Sequence, residues 1–584
     1  MRERVEAIIQ LPSGQWLEFM DPARVLVAES PSAVRPVLAD VERLTRDFSL
    51  YAVGFVAYEA GLAFNLETRR PEPATPLAWF GLFETENVRP LAALAGNGGY
   101  RLGPLHPSIE RNEFQKAFDR IKSHLARGDS YQVNFTFKMA GEFGGEPRAL
   151  FADLVEVQRS RHCGYIRIGD WAICSASPEL FFELDGLSIQ TRPMKGTAPR
   201  GLTAIDDRRR RDDLLASDKQ RAENVMIVDM MRNDVGRIAE VGSVEVPHLF
   251  SVEQYPNVWQ MTSRVTARTR ASLPDIFAAL HPSASVTGAP KVRTMAILSD
   301  LERSPRGVYT GAIGYVPPDG NASFNVAIRT AVVDVAAGQV EFGIGSGIVW
   351  DSDADAEYDE CLLKGSVIGQ AAVHFELLET LRWTPDDGYF LRDRHVGRLR
   401  EAAGYFDFVL DLEVVQAALD AAMKEMTQPQ RVRLLVQRDG RISIEHTALR
   451  ESAVLNVALA SEPVDPRSVW LYHKTTRRDV YDAARRRAST YDDVILWNPS
   501  REVTEATTAN IVVDRCGTLV TPPVSCGLLA GTFRTELLLR GEIQEDIVTL
   551  DDLRSATRLW LINSVYEWRA ATVDFGYGPA KAGR

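Results

Sequence analysis

Two stretches near the middle of this chain hold residue types that could do chemistry together. Residues 174–201 read CSASPELFFELDGLSIQTRPMKGTAPRG, with Glu179 and Lys195 on either side of two apolar runs that meet at Asp185–Gly186. Apolar runs flanking an Asp–Gly pair predict a β-hairpin. Antiparallel pairing about that turn carries Glu179 back beside Arg192–Lys195. A carboxylic acid and an amine held together can supply a proton donor and a nucleophile. They could equally form a cross-strand salt bridge on a surface, and the local sequence leaves both arrangements open.

The second stretch is carboxylate-rich. Residues 217–235, SDKQRAENVMIVDMMRNDV, read as a helix that carries Glu223, with an apolar stripe through Val225, Val228 and Met231. Residues 355–365 read as another helix, on which Glu357 and Glu360 share a face at i, i+3. Three carboxylates meeting there would suit an oxygen-preferring cation such as Mg2+; apart, they would be a solvated acidic face. Asp351, Asp353 and Asp355 suggest a calcium loop, but Ala356 and Leu362 stand where that motif needs Gly and Glu. The preceding FGIGSGIVWDSDADAEYDE reads as a glycine loop whose amides could cradle a carboxylate, or simply as a tight turn. HPSASVTGAPKVRTM has a similar loop-to-helix form.

Beyond residue 375 four segments stand apart: RHVGRLREAA, LYHKTTRRDVYDAA, REVTEATTANIVV and GLLAGTFRTELL. Singly, Arg398 could be a solvated helix residue, Lys474 a surface lysine and TEATTANI an edge strand.

The elements that must position these groups exceed one core, since 584 residues is long for a single domain. A boundary is expected near 366–373. From Phe375 a new alternation begins, and RHVGRLREAAGYFDF then reads as an amphipathic helix. The division expected is 1–370 and 371–584. Strands and helices mix without a GxGxxG opening a helix, so the fold class expected is α+β. With 45% hydrophobic and 25% charged residues the chain has the composition of a globular protein, and its net charge of −12 argues against nucleic acid or a membrane surface as partner. Arg208–Arg211, bracketed by Asp206, Asp207, Asp212 and Asp213, reads as a solvated loop or helix face. Five scattered cysteines without CxxC spacing indicate neither a disulfide framework nor a zinc cluster. No signal-like N-terminus and no run of 18 apolar residues is seen, so a cytoplasmic protein is expected.

The runs SASPELFF, RPMKGTAPRG, DKQRAENVMIVDMMRNDVGR, SVTGAPKVRTM, YTGAIGY, FNVAIRT and GIGSGIVWDSDADAEYDECLLKG resemble the chorismate-utilising enzyme family, in family order, over roughly residues 100–370. The first 100 residues resemble it weakly, best at GFVAYEAGLAFN. The resemblance implies a β-sandwich with flanking helices. Members that make 2-aminobenzoate carry a small residue where MKGT has Lys195, whereas those that aminate chorismate at C4 carry lysine. Members forming isochorismate or salicylate use a base lysine where this chain has Gln132. By the resemblance Glu179 protonates the departing 4-hydroxyl, Lys195 attacks the ring, and ammonia then adds at C4 and displaces the lysine. Glu223 and Glu360 would hold Mg2+ with Glu357 beside them. Thr287, Gly288, Arg329, Gly345, Ser346, Gly347 and Lys364 would surround the substrate carboxylates and the metal. Gln260 in VWQMTS stands at a position that is often histidine.

From about 373 to 575 the four later segments are similar, in order and content, to the fold-type IV pyridoxal-phosphate enzymes, which are two-lobed and include lyases and aminotransferases. That resemblance implies pyridoxal 5'-phosphate held covalently on Lys474, with Glu505 on its ring nitrogen. Arg398 and the helix start at Gly531–Thr532 would take its phosphate, and Asn510 and Asn563–Ser564 would line the pocket. It also leaves room for a homodimer formed through this domain. The two resemblances together imply amination of chorismate followed by loss of pyruvate to give 4-aminobenzoate for folate, with an aminotransferase as the other option for the second half. No glutaminase elbow is visible, so ammonia would come from a separate glutamine amidotransferase subunit or from free ammonium. The rival readings are a 2-aminobenzoate-forming enzyme fused to an aminotransferase-like domain, and a chorismate-binding sensor without turnover.

Overall fold

A computed structural model describes residues 4–72, 75–94, 98–449 and 454–576. The chain divides into two compact units, one of Met1–Pro199 and Arg211–Val373, the other of Arg200–Arg210 and His374–Arg584. Arg208–Arg211 fall in the helix Ala204–Ala216, where Arg209 and Arg210 pair with Asp206.

In the first unit the described strands form an eleven-stranded and a ten-stranded sheet, with antiparallel pairing between the described neighbours. Strand Val5–Gln10 shows how sequence places a strand between layers. Val5, Ala7 and Ile9 turn to one face and join Phe55, Trp79 and Ile313 of the other sheet. Ile8 turns to the opposite face and packs with Phe114, Phe118 and Ile121 of a helix. Successive side chains of a strand alternate, so a strand covered on both faces reads as a nearly unbroken apolar run. Helices cover the outer faces of both sheets: Val34, Leu38 and Val41 with Ile227 and Ile276 on one, and Phe151 with Leu298 and Tyr358 on the other. This is the β-sandwich with flanking helices that the resemblance implies.

One local expectation holds and two differ in detail. The hairpin is present, with Asp185↔Ser188 closing the turn and Glu183↔Gln190 paired above it. The helix Asp218–Gly236, capped by the Ser217 side chain accepting from the Gln220 amide, buries Asn224, Ile227, Val228, Met231 and Val235, but not Val225, which is 38% exposed. Val228 and Met231 thus lie on the inner face as expected, and the polar Asn224 takes the inner place expected of Val225. The glycine-rich GIGSGI is not a loop. Gln339–Ile348 is a strand, paired with Gln132–Gly145 so that Gly345 faces Thr136, Ser346 faces Phe135 and Gly347 faces Asn134. Its glycines serve close approach: a Cβ on Gly343 would stand 2.1 Å from the Tyr309 ring. The turn follows it, and Asp353 ends that turn as N-cap of Ala354–Gly365, accepting from the Ala356 amide.

The second unit has two lobes. One is a four-stranded sheet ordered Gly388–Tyr389, Leu377–Thr384, Gln430–Val436 and Ile442–Ala448, whose apolar face meets helices Arg392–Phe406 and Leu412–Met423 through Leu381, Leu399, Leu419 and Val432. The other is an eight-stranded mixed sheet around Val457, Ile495, Ile511 and Leu561. Leu377 and Thr475 form a bridge between these lobes, and the Leu378 amide donates to the Lys474 carbonyl at 3.1 Å. TEATTANI bends between strands Val503–Ala506 and Asn510–Arg515, the first of which is an edge strand of the eight. All five cysteines are free. Among the described residues no helix is long and apolar enough to cross a membrane.

Candidate active sites

The first site gathers around Lys195, on the strand Met194–Pro199 of the ten-stranded sheet. Two side chains grip the backbone at this point. Asn224, from the helix, donates to the Lys195 carbonyl at 3.0 Å and accepts from Ser263 Oγ at 2.6 Å. Gln260 Nε2 donates to the Gly196 carbonyl at 2.9 Å, while its Oε1 accepts from Thr197 at 3.0 Å. The glutamine that departs from the usual histidine is thus a clamp on the lysine strand.

The lysine side chain runs toward Gly347. A Cβ built on that glycine would lie 2.7 Å from Gln132 Nε2 and 3.6 Å from Lys195 Nζ, so glycine leaves the space these two groups share. Gly347→Ala is expected to lower turnover at this site at least about tenfold, because the added methyl pushes Gln132 Nε2 aside and fills the space next to the Lys195 amine; steady-state kinetics with a retained melting temperature would check it.

Glu179 is 4% exposed, and its Oε1 has no hydrogen-bond partner. Burial pushes its pKa up to about 7, against the lowering effects of a Ser285 hydrogen bond and the Lys195 charge. Burial lowers that of Lys195, opposed chiefly by Glu179. A surface salt bridge is therefore excluded. The pair is an acid that holds its proton up to about pH 7 and an amine that holds its own less firmly than an exposed lysine. Glu179 can donate a proton only while protonated, so a reaction that uses it as an acid should slow as pH rises through about 7. In Glu179→Gln that limb should vanish along with most of the rate.

Glu357 accepts a hydrogen bond from Ser346 Oγ. Burial raises its pKa, and like charge on Glu360 and Glu223 adds to the rise. Glu360 pairs with Lys364 at 2.5 Å and its side chain is 53% exposed. Lys364 Nζ also donates to the Gly345 carbonyl at 3.0 Å, and its own carbonyl accepts from Arg329 Nη1 at 2.5 Å. Among the described residues no three acidic, histidine or cysteine side chains are gathered closely enough to hold a metal as they stand. Thr287 is fully buried, with its hydroxyl donating to the Ser283 and Ala284 carbonyls, so it forms wall rather than ligand. Gly288, at φ +147°, leaves room for the Gln132 carbonyl, which a Cβ would meet at 2.1 Å. Sequence reasoning missed Asn224, Ser263 and Ser285, and the buried Arg306–Glu302 pair (2.6 Å) that ties Asn134 and Val286 together. A polar residue at an inward heptad-like position was the available signal for Asn224.

The second site centres on Lys474, in the segment between strand Leu455–Leu459 of the eight-stranded sheet and helix Asp479–Arg487. Burial first, then the charges of Arg398 and Arg478, lower its pKa to about 8. Glu505 is 5% exposed, and burial pushes it up to about 7. It accepts from Tyr481 Oη at 2.7 Å, Asn510 Nδ2 at 3.2 Å and the Leu529 amide at 3.2 Å. Gly531 is the N-cap of helix Thr532–Leu539, and a Cβ there would collide with Asn510 Oδ1 at 2.0 Å. Arg398 donates through Nε and Nη2 to Glu379 and through Nη1 to the Ala530 carbonyl. The Asn563 side chain closes its own turn, accepting from the Val565 and Tyr566 amides, and Ser564 is buried. Glu379 and His395 were not legible from the sequence.

The profile of the chorismate binding enzyme family matches residues 9–370, and that of class IV aminotransferases matches residues 376–572. The chain belongs to the chorismate binding enzyme family. Among curated relatives, aminodeoxychorismate synthase component 1 of Klebsiella aerogenes is 40% identical over 291 residues, 50% of this chain and 62% of that protein. An anthranilate synthase component 1 of Haloarcula marismortui is 39% identical over 263 residues, 45% of this chain and 53% of that one. The matched stretches thus span little more than half of each relative. The crystal structure of anthranilate synthase component I from Streptococcus pneumoniae shares the fold of the first unit, with a TM-score of 0.52, 24% identity, and coverage of 62% of this chain and 92% of that chain.

Proposed function

We propose that this chain makes 4-aminobenzoate from chorismate in two steps, amination at C4 in the first unit and loss of pyruvate in the second. Similarity alone does not choose between the two activities named among its relatives, whose identities to this chain differ by a single percentage point, 40% against 39%. The observation that carries the choice is Lys195, its amine beside Gly347 and its charge coupled to Glu179.

In this reading the ring binds with its 4-hydroxyl at the orphan Oε1 of Glu179. The Lys195 nitrogen forms a bond to the ring while the C4–O bond breaks, and the oxygen leaves as water with the proton of Glu179. Ammonia then bonds to C4, the lysine–carbon bond breaks, and Lys195 returns as a free amine. Asn224 and Gln260 keep the strand from shifting as the lysine changes partners. Glu223, Glu357 and Glu360 would hold Mg2+. The mutual repulsion at Glu357 fits a divalent cation, and Glu360 would exchange Lys364 for it. The cation would neutralise a substrate carboxylate and orient the ring.

The donor set of the second site fits pyridoxal 5'-phosphate, with Lys474 for the aldehyde, Glu505 for the ring nitrogen, and Arg398 with the Gly531–Thr532 amides for the phosphate. When bound, the cofactor would supply an electron sink. Lys474, with its depressed pKa, holds and returns the proton exchanged as pyruvate leaves. The relatives' designation as component 1 supports a separate ammonia-supplying subunit. A cytoplasmic location, service to folate synthesis and a homodimer through the second unit complete the proposal.

The test is incubation of the purified chain with chorismate, ammonium and magnesium, with and without pyridoxal phosphate. Aminodeoxychorismate should accumulate without the cofactor and 4-aminobenzoate form with it. Formation of 2-aminobenzoate, or binding without turnover, would overturn the proposal.

A further inference from the structure

Glu379, His395 and Thr532 form a chain of buried contacts that the reaction above does not use. Glu379 and His395 are each 1% exposed and Thr532 is 5% exposed. Glu379 Oε2 lies 2.6 Å from His395 Nδ1 and 2.7 Å from Arg398 Nη2, and Glu379 Oε1 lies 2.9 Å from Arg398 Nε. On the other side of the ring, His395 Nε2 lies 3.2 Å from Thr532 Oγ1. Thr532 is the first residue of its helix, where backbone amides have no partner within the helix.

The protonation states follow from these contacts. Burial pushes the Glu379 carboxyl up, but Arg398 and His395 together bring it down to about 2, so it is ionised and must accept. His395 Nδ1 therefore carries a hydrogen. Burial lowers the pKa of the imidazole, Arg398 and Lys474 oppose its charge, and Glu379 favours it. Arg394 and Glu536, one from each of the two packed helices, pair with each other at 2.5 Å. A neutral ring leaves Nε2 bare, so the Thr532 hydroxyl donates to it and has no hydrogen to offer the site. A dianion seated on the helix start reverses the balance, since an opposite charge nearby favours the imidazolium. Nε2–H then donates to Thr532 Oγ, and the hydroxyl turns its hydrogen to the anion.

We propose that His395 is a proton-linked positioning residue for the phosphate end of the cofactor: seating a phosphate dianion takes one proton from solvent onto Nε2 and turns the Thr532 hydroxyl toward the phosphate. This rests on the pyridoxal-phosphate reading of the second unit. It makes phosphate retention weaken with rising pH, by up to about tenfold per unit while the proton is being taken up.

The experiment titrates cofactor-free full-length chain with pyridoxal 5'-phosphate at pH 8, by calorimetry in buffers of different ionisation enthalpy. The heats give the protons exchanged per site. Chemistry at Lys474 is common to all variants, so differences between them isolate His395. Wild type should take up about one proton more than His395→Asn. Thr532→Val, which keeps the ring and removes only the hydroxyl, should lose the same proton. Pyridoxal, lacking the phosphate, should give equal counts in all three. Equal counts with pyridoxal phosphate in wild type and both variants, with the cofactor bound and fixed on Lys474 by borohydride, would overturn this proposal alone. No borohydride-fixed label on Lys474 would overturn the cofactor reading and this proposal with it.

Discussion

Lys195→Ala should cut amination of chorismate at C4 by at least about 10³-fold, since without the amine no covalent path exists and only acid catalysis and binding remain. The Michaelis constant for chorismate should change little, because Gln132, which shares the space at Gly347 with the lysine, stays. Lys195→Arg should not rescue the rate. A guanidinium keeps its proton at every working pH, whereas burial already lowers the pKa of Lys195. Chromatography of the product formed without pyridoxal phosphate measures the first step by itself. Undiminished aminodeoxychorismate from Lys195→Ala would refute the covalent path.

The second large effect belongs to Lys474. Lys474→Ala should lower 4-aminobenzoate formation by at least about 10³-fold, because this lysine is both the attachment point and the proton carrier. Aminodeoxychorismate should then accumulate at the wild-type rate, since Lys195, Glu179 and Asn224 all lie outside the second unit. The variant should also lose any visible absorbance that borohydride bleaches in the wild type. Continued 4-aminobenzoate output would mean that the pyruvate-releasing step happens elsewhere.

The parts of this molecule legible in its sequence share one property, which is that local rules decide them. An Asp–Gly pair between apolar runs set the hairpin, and i, i+3 spacing put Glu357 and Glu360 on one helix face. The Gly343–Gly347 run was misread as a loop because glycine is ambiguous: it permits a turn, and it equally permits two strands and a side chain to approach closely. Only the partners, Tyr309, Thr136 and Gln132, tell the two uses apart, and they come from distant parts of the chain. Val225 and Asn224 show the same limit. The spacing predicts an apolar stripe through Val225, yet the helix turns an asparagine inward because the Lys195 carbonyl and the Ser263 hydroxyl offer it an acceptor and a donor there. Glu379 could not be singled out either. In LLETLRWT it is one charged residue in a half-buried strand, and its meaning appears only when Arg398 and His395, on a later helix, close on it.

The central claim is that the amine of Lys195 bonds to the substrate ring. Intact-mass analysis of rapidly quenched protein, mixed with chorismate and magnesium but no ammonia, tests it directly. Wild type should gain the mass of chorismate less one water, on the peptide that contains Lys195, and Lys195→Ala should gain nothing. The same adduct on the alanine variant, or on another residue of the wild type, would contradict the account.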